Sequence, residues 1–220
     1  MASPHQQMSF ELPPLSGMTR EDFIVDEANR LAFEQITAWP QWPADTLVLA
    51  GPVGSGKTHL AAIHAQQSGA LKFDCAKLPT PEELHEFGDR ALIVENGHSA
   101  NLDETRLFHM MNHVREFGSR LLITTRSWPE SWSLELPDLK SRLRAAHPLE
   151  LNEPGDTLLR QVLVKLFADR QLSVDAKVLD YLLVRMERSL SEASRIVEQL
   201  DRLSLERSRP ITRQLAAELF

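Results

Sequence analysis

The residues Gly51-Pro52-Val53-Gly54-Ser55-Gly56-Lys57-Thr58 carry the strongest chemical signal in the chain. Glycines at 51, 54 and 56 let the backbone turn tightly and point unhindered amide N–H groups into a concavity, which makes an anion cradle. A helix opening at the end of such a loop adds its own free N–H groups and the positive end of its dipole. Lys57 is placed to reach the β and γ phosphates of a nucleotide, and the Thr58 hydroxyl to complete a Mg²⁺ shell. The spacing is the full G-x-x-x-x-G-K-[ST] pattern, and His59 follows it directly. A glycine-rich turn without a ligand is the rival reading, but it gives no reason for the Lys-Thr pair.

Two further sites depend on charge. The apolar run Ala91–Val94 ends in Glu95-Asn96, where P-loop ATPases carry the acid that organises Mg²⁺. Glu95 can hold the metal's water shell. Asn96 cannot act as a base for an attacking water, because an amide has no accessible proton-accepting state. Such a pair favours nucleotide binding over hydrolysis. The stretch Leu136-Pro-Asp-Leu-Lys-Ser-Arg142-Leu-Arg144 is basic in an acidic chain. A guanidinium at the edge of a P-loop domain can reach a neighbouring subunit's γ-phosphate. A solvated basic turn is the plainer alternative for Arg142.

These residues need elements to position them. Leu47–Ala50 reads as a short buried strand ahead of the loop, and His59–Gln67 as the helix after it. Glu27–Trp39 has helical spacing. Phe23 and Ile24, just before it, are candidate contacts for a base or ordinary core. Ala70–Asp74 and Arg120–Thr125 read as further strands, and Pro81–Phe87 and Asp103–Phe117 as covering helices. Beyond about residue 152 the texture becomes all-helical, over Asp156–Arg170, Asp175–Glu187, Ser191–Leu205 and Thr212–Leu219. The expected organisation is a flexible tail over 1–18, an α/β nucleotide-binding domain over 19–152 and a helical domain over 153–220.

Composition narrows the class. The 220 residues are 42% hydrophobic and 25% charged, ordinary for a globular chain that can bury a full core. The net charge of −7 argues against a broad nucleic-acid-binding face. One cysteine, Cys75, excludes an internal disulfide framework and fits a reducing compartment. No apolar run approaches the ~20 residues of a membrane span, so a cytoplasmic location is expected. His98, His109 and His113 do not converge at a convincing metal spacing.

Taken together, the order of these features resembles the AAA+ module of the DnaA/Hda family of replication initiators and their regulators. The likeness covers roughly residues 20–218 and rests on Asn29-Arg-Leu-Ala32, the Gly51–Leu60 loop, the Leu121–Thr125 strand and the Leu136–Leu143 box. It implies an α/β fold: a P-loop AAA+ module with a parallel sheet flanked by helices, followed by a small all-α lid. It implies ADP or ATP with Mg²⁺ as cofactor, bound by Gly51–His59 with Phe23 and Ile24, and Arg142 as an arginine finger acting in trans. Gln7-Met8-Ser9-Phe10-Glu11-Leu12 resembles the peptide by which shortened members dock on the sliding clamp (the β subunit of DNA polymerase III). The chain stops soon after the lid, so the initiator's DNA-reading domain is not expected. The implied function is regulatory inactivation of the initiator by stimulating hydrolysis of DnaA-bound ATP. Its partners are DnaA and the clamp, with possible self-association and neither sequence-specific DNA contact nor membrane.

The departures from the family pattern bear on catalysis. Glu95-Asn96 replaces the usual pair of aspartates, and Arg126 stands at the sensor position. Ser191 stands where the lid arginine belongs, with Arg188 or Arg195 as substitutes one helical turn away. These changes weaken self-sufficient hydrolysis. The rival functions are a stand-alone ATPase, such as a DnaC-like helicase loader, and a nucleotide-free adaptor.

Overall fold

The computed structural model describes residues 18–220, so Gln7–Leu12 lies outside the described residues. Five strands form one parallel sheet: β1 (Thr46–Ala50), β2 (Leu71–Asp74), β3 (Leu92–Glu95), β4 (Leu121–Thr125) and β5 (His147–Glu150). Their order across the sheet is β2-β3-β4-β1-β5. β1 and β4 are buried along their whole length, which explains their near-continuous apolar sequences.

Alternate residues divide the core. Val48, Leu92, Val94, Leu121 and Ile123 face one apolar layer, while Leu47, Leu49, Ile93 and Leu122 face the other. The first layer is closed by α3 (Pro81–Phe87), α4 (Glu104–Phe117) and α5 (Pro137–Ala145), through Leu84, Leu107, Met110, Val114 and Leu139. The second is closed by α1 (Arg30–Thr37) and α2 (Lys57–Ser68), through Ile36, Leu60 and Ile63.

The remaining helices, α6 (Asp156–Asp169), α7 (Ala176–Arg185), α8 (Leu190–Arg207) and α9 (Arg213–Ala216), share a separate core of Leu163, Phe167, Leu182, Ile196 and Leu200. The molecule is thus a parallel α/β layer followed by a small all-helical lid. Lys165 of the lid reaches back to Asp22 at 2.7 Å, and Leu190 donates its amide to the Gly54 carbonyl at 2.7 Å.

Two elements differ from their sequence reading. Leu136–Arg144 is no basic turn: it is most of α5, started by Pro137 at the first helical position. Its preceding amides, Glu135 and Leu136, donate to the Glu104 carboxylate at 2.9 and 2.7 Å. β5 falls where the texture was read only as changing. Pro148 hides it, yet β5 pairs only with β1, and an edge strand tolerates proline.

Candidate nucleotide site

All five strands run in parallel, so their C-terminal ends share one edge of the sheet. The loop leaves β1 at that edge, between β4 and β5, the end at which open parallel sheets take their ligands. Gly51 donates its amide to the Thr125 carbonyl at 3.2 Å, which ties the start of the loop to the end of β4. Gly54 and Gly56 have φ of +71° and +103°, left-handed values that favour glycine. The amides of Gly54, Gly56, Lys57 and Thr58 find no hydrogen-bond acceptor among the described residues. Four donors converge on the N-terminus of α2, which is what a polyphosphate requires.

Lys57 now turns its ammonium onto the loop, donating to the carbonyls of Gly51 and Pro52 at 2.8 and 2.7 Å. Burial lowers its pKa, and the charge of Arg126 lowers it further. A phosphate seated in the cradle would compete for that ammonium. Ser55 is buried with its hydroxyl oxygen unpartnered, and Thr58 is exposed.

Phe23 is buried, stacked on Phe33 at 5.2 Å and edge-on to His59 at 5.1 Å. Its ring also lies 3.5 Å from where a Cβ on Gly56 would be. Both readings of Phe23 therefore meet in one residue: it is core, and it stands beside the loop. Ile24 is half-buried, and its carbonyl accepts from the Asn29 side chain at 3.0 Å. His59 contacts the Thr19 carbonyl at 2.8 Å through Nε2, so the segment before α1 is fastened to α2.

The lid meets the loop at the start of α8. A Cβ on Gly54 would lie 2.5 Å from the Ser189 Cβ and 2.6 Å from the Ser191 hydroxyl oxygen. Ser189 caps α8, accepting from the Glu192 amide at 3.0 Å. Its importance was missed in the sequence, although Ser189-Leu-Ser-Glu192 is the S-x-x-E pattern of a helix start. Neither substitute arginine is spent on the loop. Arg188 pairs with Asp156 at 2.9 Å and Glu153 at 3.6 Å, and Arg195 pairs with Glu192 at 2.6 Å.

Arg126, directly after β4, is exposed at the same edge, and its amide donates to His98 Nδ1 at 3.3 Å. Burial lowers the pKa of His98, with Arg126 and Lys57 adding to the effect. His98 entered the sequence reading only as a failed metal ligand. Its position, three residues beyond β3, was the signal that it borders the loop.

The acids of β3 are engaged elsewhere. Glu95 pairs with Lys72 at 3.3 Å through one carboxylate oxygen, and the other is buried without a partner. Asn96, at φ +62°, turns its side-chain amide to Asp74 at 2.9 Å. A Mg²⁺ ion beside the loop would find the Thr58 hydroxyl. The acidic donor is held back by a lysine, with the cations Lys57 and Arg126 facing the same space. The donor set does not fit the metal. Among the described residues no group of three His, Cys, Asp or Glu could hold a metal ion either.

Arg142 lies far from this edge. It lines a broad surface depression with Pro43, Asp45 and Thr46, at the start of β1, whereas the loop follows the end of β1. Five residues of strand separate the two, roughly 15 Å. The guanidinium sits 5.0 Å over the Phe108 ring, is half-buried and forms no ion pair among the described residues. No helix among the described residues is long and apolar enough to cross a membrane.

Residues 156–216 match the family model "Hda, lid domain". An uncharacterized protein of Haemophilus influenzae is 28% identical over 178 residues, covering 74% of this chain and 75% of its own. Domain III of the Thermotoga maritima replication initiation protein DnaA superposes with a TM-score of 0.78 at 18% identity, over 92% of this chain and 95% of its own. DnaA of Aquifex aeolicus bound to AMPPCP gives 0.72 at 18% identity, over 86% of this chain and 66% of its own. The Holliday junction branch migration motor RuvB of Thermotoga maritima gives 0.71 at 19% identity, over 91% and 70%. The chain thus carries the fold of DnaA domain III, and its residues 156–216 resemble an Hda lid domain.

Proposed function

We propose that this chain is a nucleotide-holding regulator that ends replication initiation by stimulating hydrolysis of ATP bound to DnaA, supplying Arg142 in trans. The observation that carries it is the separation of Arg142 from its own loop by the length of β1, with no carboxylate among the described residues claiming the guanidinium. A cation so placed is out of reach of its own nucleotide and open to a neighbour's. An arginine finger in trans is typically worth ~10³–10⁵ in rate, so one residue can carry the activity.

Its own nucleotide, ADP or ATP, serves as a structural cofactor held by the loop amides, Lys57 and the lid. The AMPPCP carried by the DnaA of Aquifex aeolicus supports an adenine nucleotide here. Asn96 turns to Asp74 and cannot serve as base, which disfavours a stand-alone ATPase. Docking on the sliding clamp through Gln7–Leu12, within the segment 1–18, completes the reading.

The test pairs two variants in a DnaA-ATP hydrolysis assay with DNA-loaded clamp. Arg142→Ala is expected to bind clamp normally and lose stimulation. Deletion of residues 7–12 is expected to lose both. Stimulation retained by Arg142→Ala refutes the finger role, and clamp binding retained without residues 7–12 refutes the docking role.

A further inference from the structure

The loop has a second cation, Arg126, close enough for its charge to act on Lys57. P-loops recruit Mg²⁺ because one lysine cannot neutralise a polyphosphate, and an acid on the neighbouring strand holds the metal's water shell. Here that acid faces β2, where Lys72 stands 3.3 Å away. The oxygen it leaves over is buried and without a partner among the described residues. The adjoining position is an amide, Asn96, tied to Asp74.

Beside β3, just after the end of β4, stands this second cation. β4 pairs with β1 in parallel register, with Thr125 opposite Ala50, so the residue after each strand lies at the mouth of the cradle. On β1 that residue is Gly51, and on β4 it is Arg126. The Gly51 amide bond to the Thr125 carbonyl fixes the two backbones side by side. Arg126 is exposed and forms no ion pair among the described residues. Its backbone amide bonds to His98, and among the described residues its guanidinium has no hydrogen-bond partner. The guanidinium is therefore unspent, planar and able to take two phosphate oxygens at once. A metal ion placed between Arg126 and Lys57 would be repelled by both.

We propose that the loop binds its nucleoside diphosphate or triphosphate as the metal-free anion, with Arg126 in the role the divalent cation plays elsewhere. The proposal rests on the nucleotide-binding reading above and adds the form in which the nucleotide is held. It also accounts for Ser191: with Arg126 already on the phosphates, the lid has no need of a cation there. A site so arranged retains its nucleotide through metal depletion and lacks the ion that hydrolysis needs, so it acts as a fixed structural support.

The experiment is ADP binding to the full chain by titration calorimetry, in EDTA and in excess Mg²⁺. Binding is expected to be tightest in EDTA and weaker in excess Mg²⁺, because the metal sequesters the free diphosphate that the site selects. Arg126→Ala is expected to weaken metal-free binding by about tenfold or more, and to make binding improve on adding Mg²⁺. Glu95→Gln is expected to change neither constant. Wild-type binding that requires Mg²⁺ overturns this proposal and leaves the nucleotide reading intact. So does an Arg126→Ala protein with unaltered metal-free affinity, or a Glu95→Gln protein that binds less tightly in Mg²⁺. Absence of binding in both buffers overturns the nucleotide reading with it.

Discussion

Ser191 of the lid stands over Gly54 of the loop: a Cβ on the glycine would lie 2.6 Å from the serine hydroxyl oxygen. Leu190, the residue before it, donates its amide to the Gly54 carbonyl at 2.7 Å. The lid is thus registered so that position 191 overlooks the phosphate cradle, and the residue there is short and neutral. Ser191 is exposed, so a longer side chain has room to leave the contact. Ser191→Arg is expected to tighten ADP binding by about tenfold, the worth of one charge-assisted hydrogen bond. Calorimetric titration checks it, and an unchanged affinity would remove position 191 from the phosphate site.

Gly54 and Gly69 form a matched pair for measuring how firmly the lid grips the loop. Both are left-handed, with φ of +71° and +67°. A Cβ at Gly69 meets nothing within 4 Å, while one at Gly54 would lie 2.5 Å from the Ser189 Cβ. Gly69→Ala carries backbone strain alone, of order 1 kcal/mol. Gly54→Ala adds displacement of α8 and is expected to cost about 1–3 kcal/mol more, with loss of nucleotide binding. The two melting temperatures should then differ by several degrees, at about 2–4 °C per kcal/mol for a chain of this size. Equal melting points would mean that the lid does not bear on the loop.

The contrast between these glycines also shows what could be read in the sequence. The loop, strands β1 and β4 and helices α3 and α4 follow from local rules: glycine spacing, apolar runs, a proline at a helix start and an acid at a cap. Thr80 and Asp103 cap α3 and α4. β5 does not follow from them, because Pro148 contradicts strand propensity and only its place beside β1 at the sheet edge makes it tolerable. Charged side chains are least legible, since their partners come from distant segments. Glu95 was read as a metal acid because Lys72 is far away in sequence, yet β2 and β3 lie in register and bring the two together. Arg188 was read as a nucleotide contact, and its pairing with Asp156 at the start of α6 was not visible in the sequence. Arg126 was visible as a departure. Its neighbours, Gly51 and His98, became visible only with the sheet order.

Arg142 allows activity to be separated from stability. Its guanidinium lies 5.0 Å over Phe108 at a half-buried site, a contact worth no more than about 1 kcal/mol. Arg142→Ala should therefore melt within a few degrees of wild type. Arg142→Lys keeps the charge and loses the planar fork, which a point charge on a flexible stem does not replace. It is expected to recover only a small part of the ~10³–10⁵ stimulation lost in the alanine variant. Full activity in the lysine variant would reduce Arg142 to a source of positive charge.

His64 is expected to make the fold acid-sensitive in a defined window. It is fully buried in α2, with its ring centroid 4.5 Å from that of Trp42 and 5.2 Å from that of Trp39. Among the described residues Nδ1 has no partner, and Nε2 has only the Ser68 hydroxyl, at 3.5 Å. Burial pushes the pKa down from 6.5 to about 4. A folded-state pKa below the unfolded one means that protons bind the unfolded chain preferentially. The stability held by neutral His64 is then complete above about pH 6.5 and is lost progressively as the pH falls towards 4. The full effect is of order 3 kcal/mol. Urea midpoints should be flat from neutral pH to about 6.5 and fall steeply below it. His64→Leu removes the titrating ring and keeps an apolar side chain against the two tryptophans, so its midpoint should fall much less over the same range. Asp22 and Asp74, held below the ordinary carboxylate range by the bond from Lys165 and the amide of Ala76, add their own loss of stability only as the pH falls through and below 3.8. Parallel curves for the two proteins would show that His64 is not the group that senses acid.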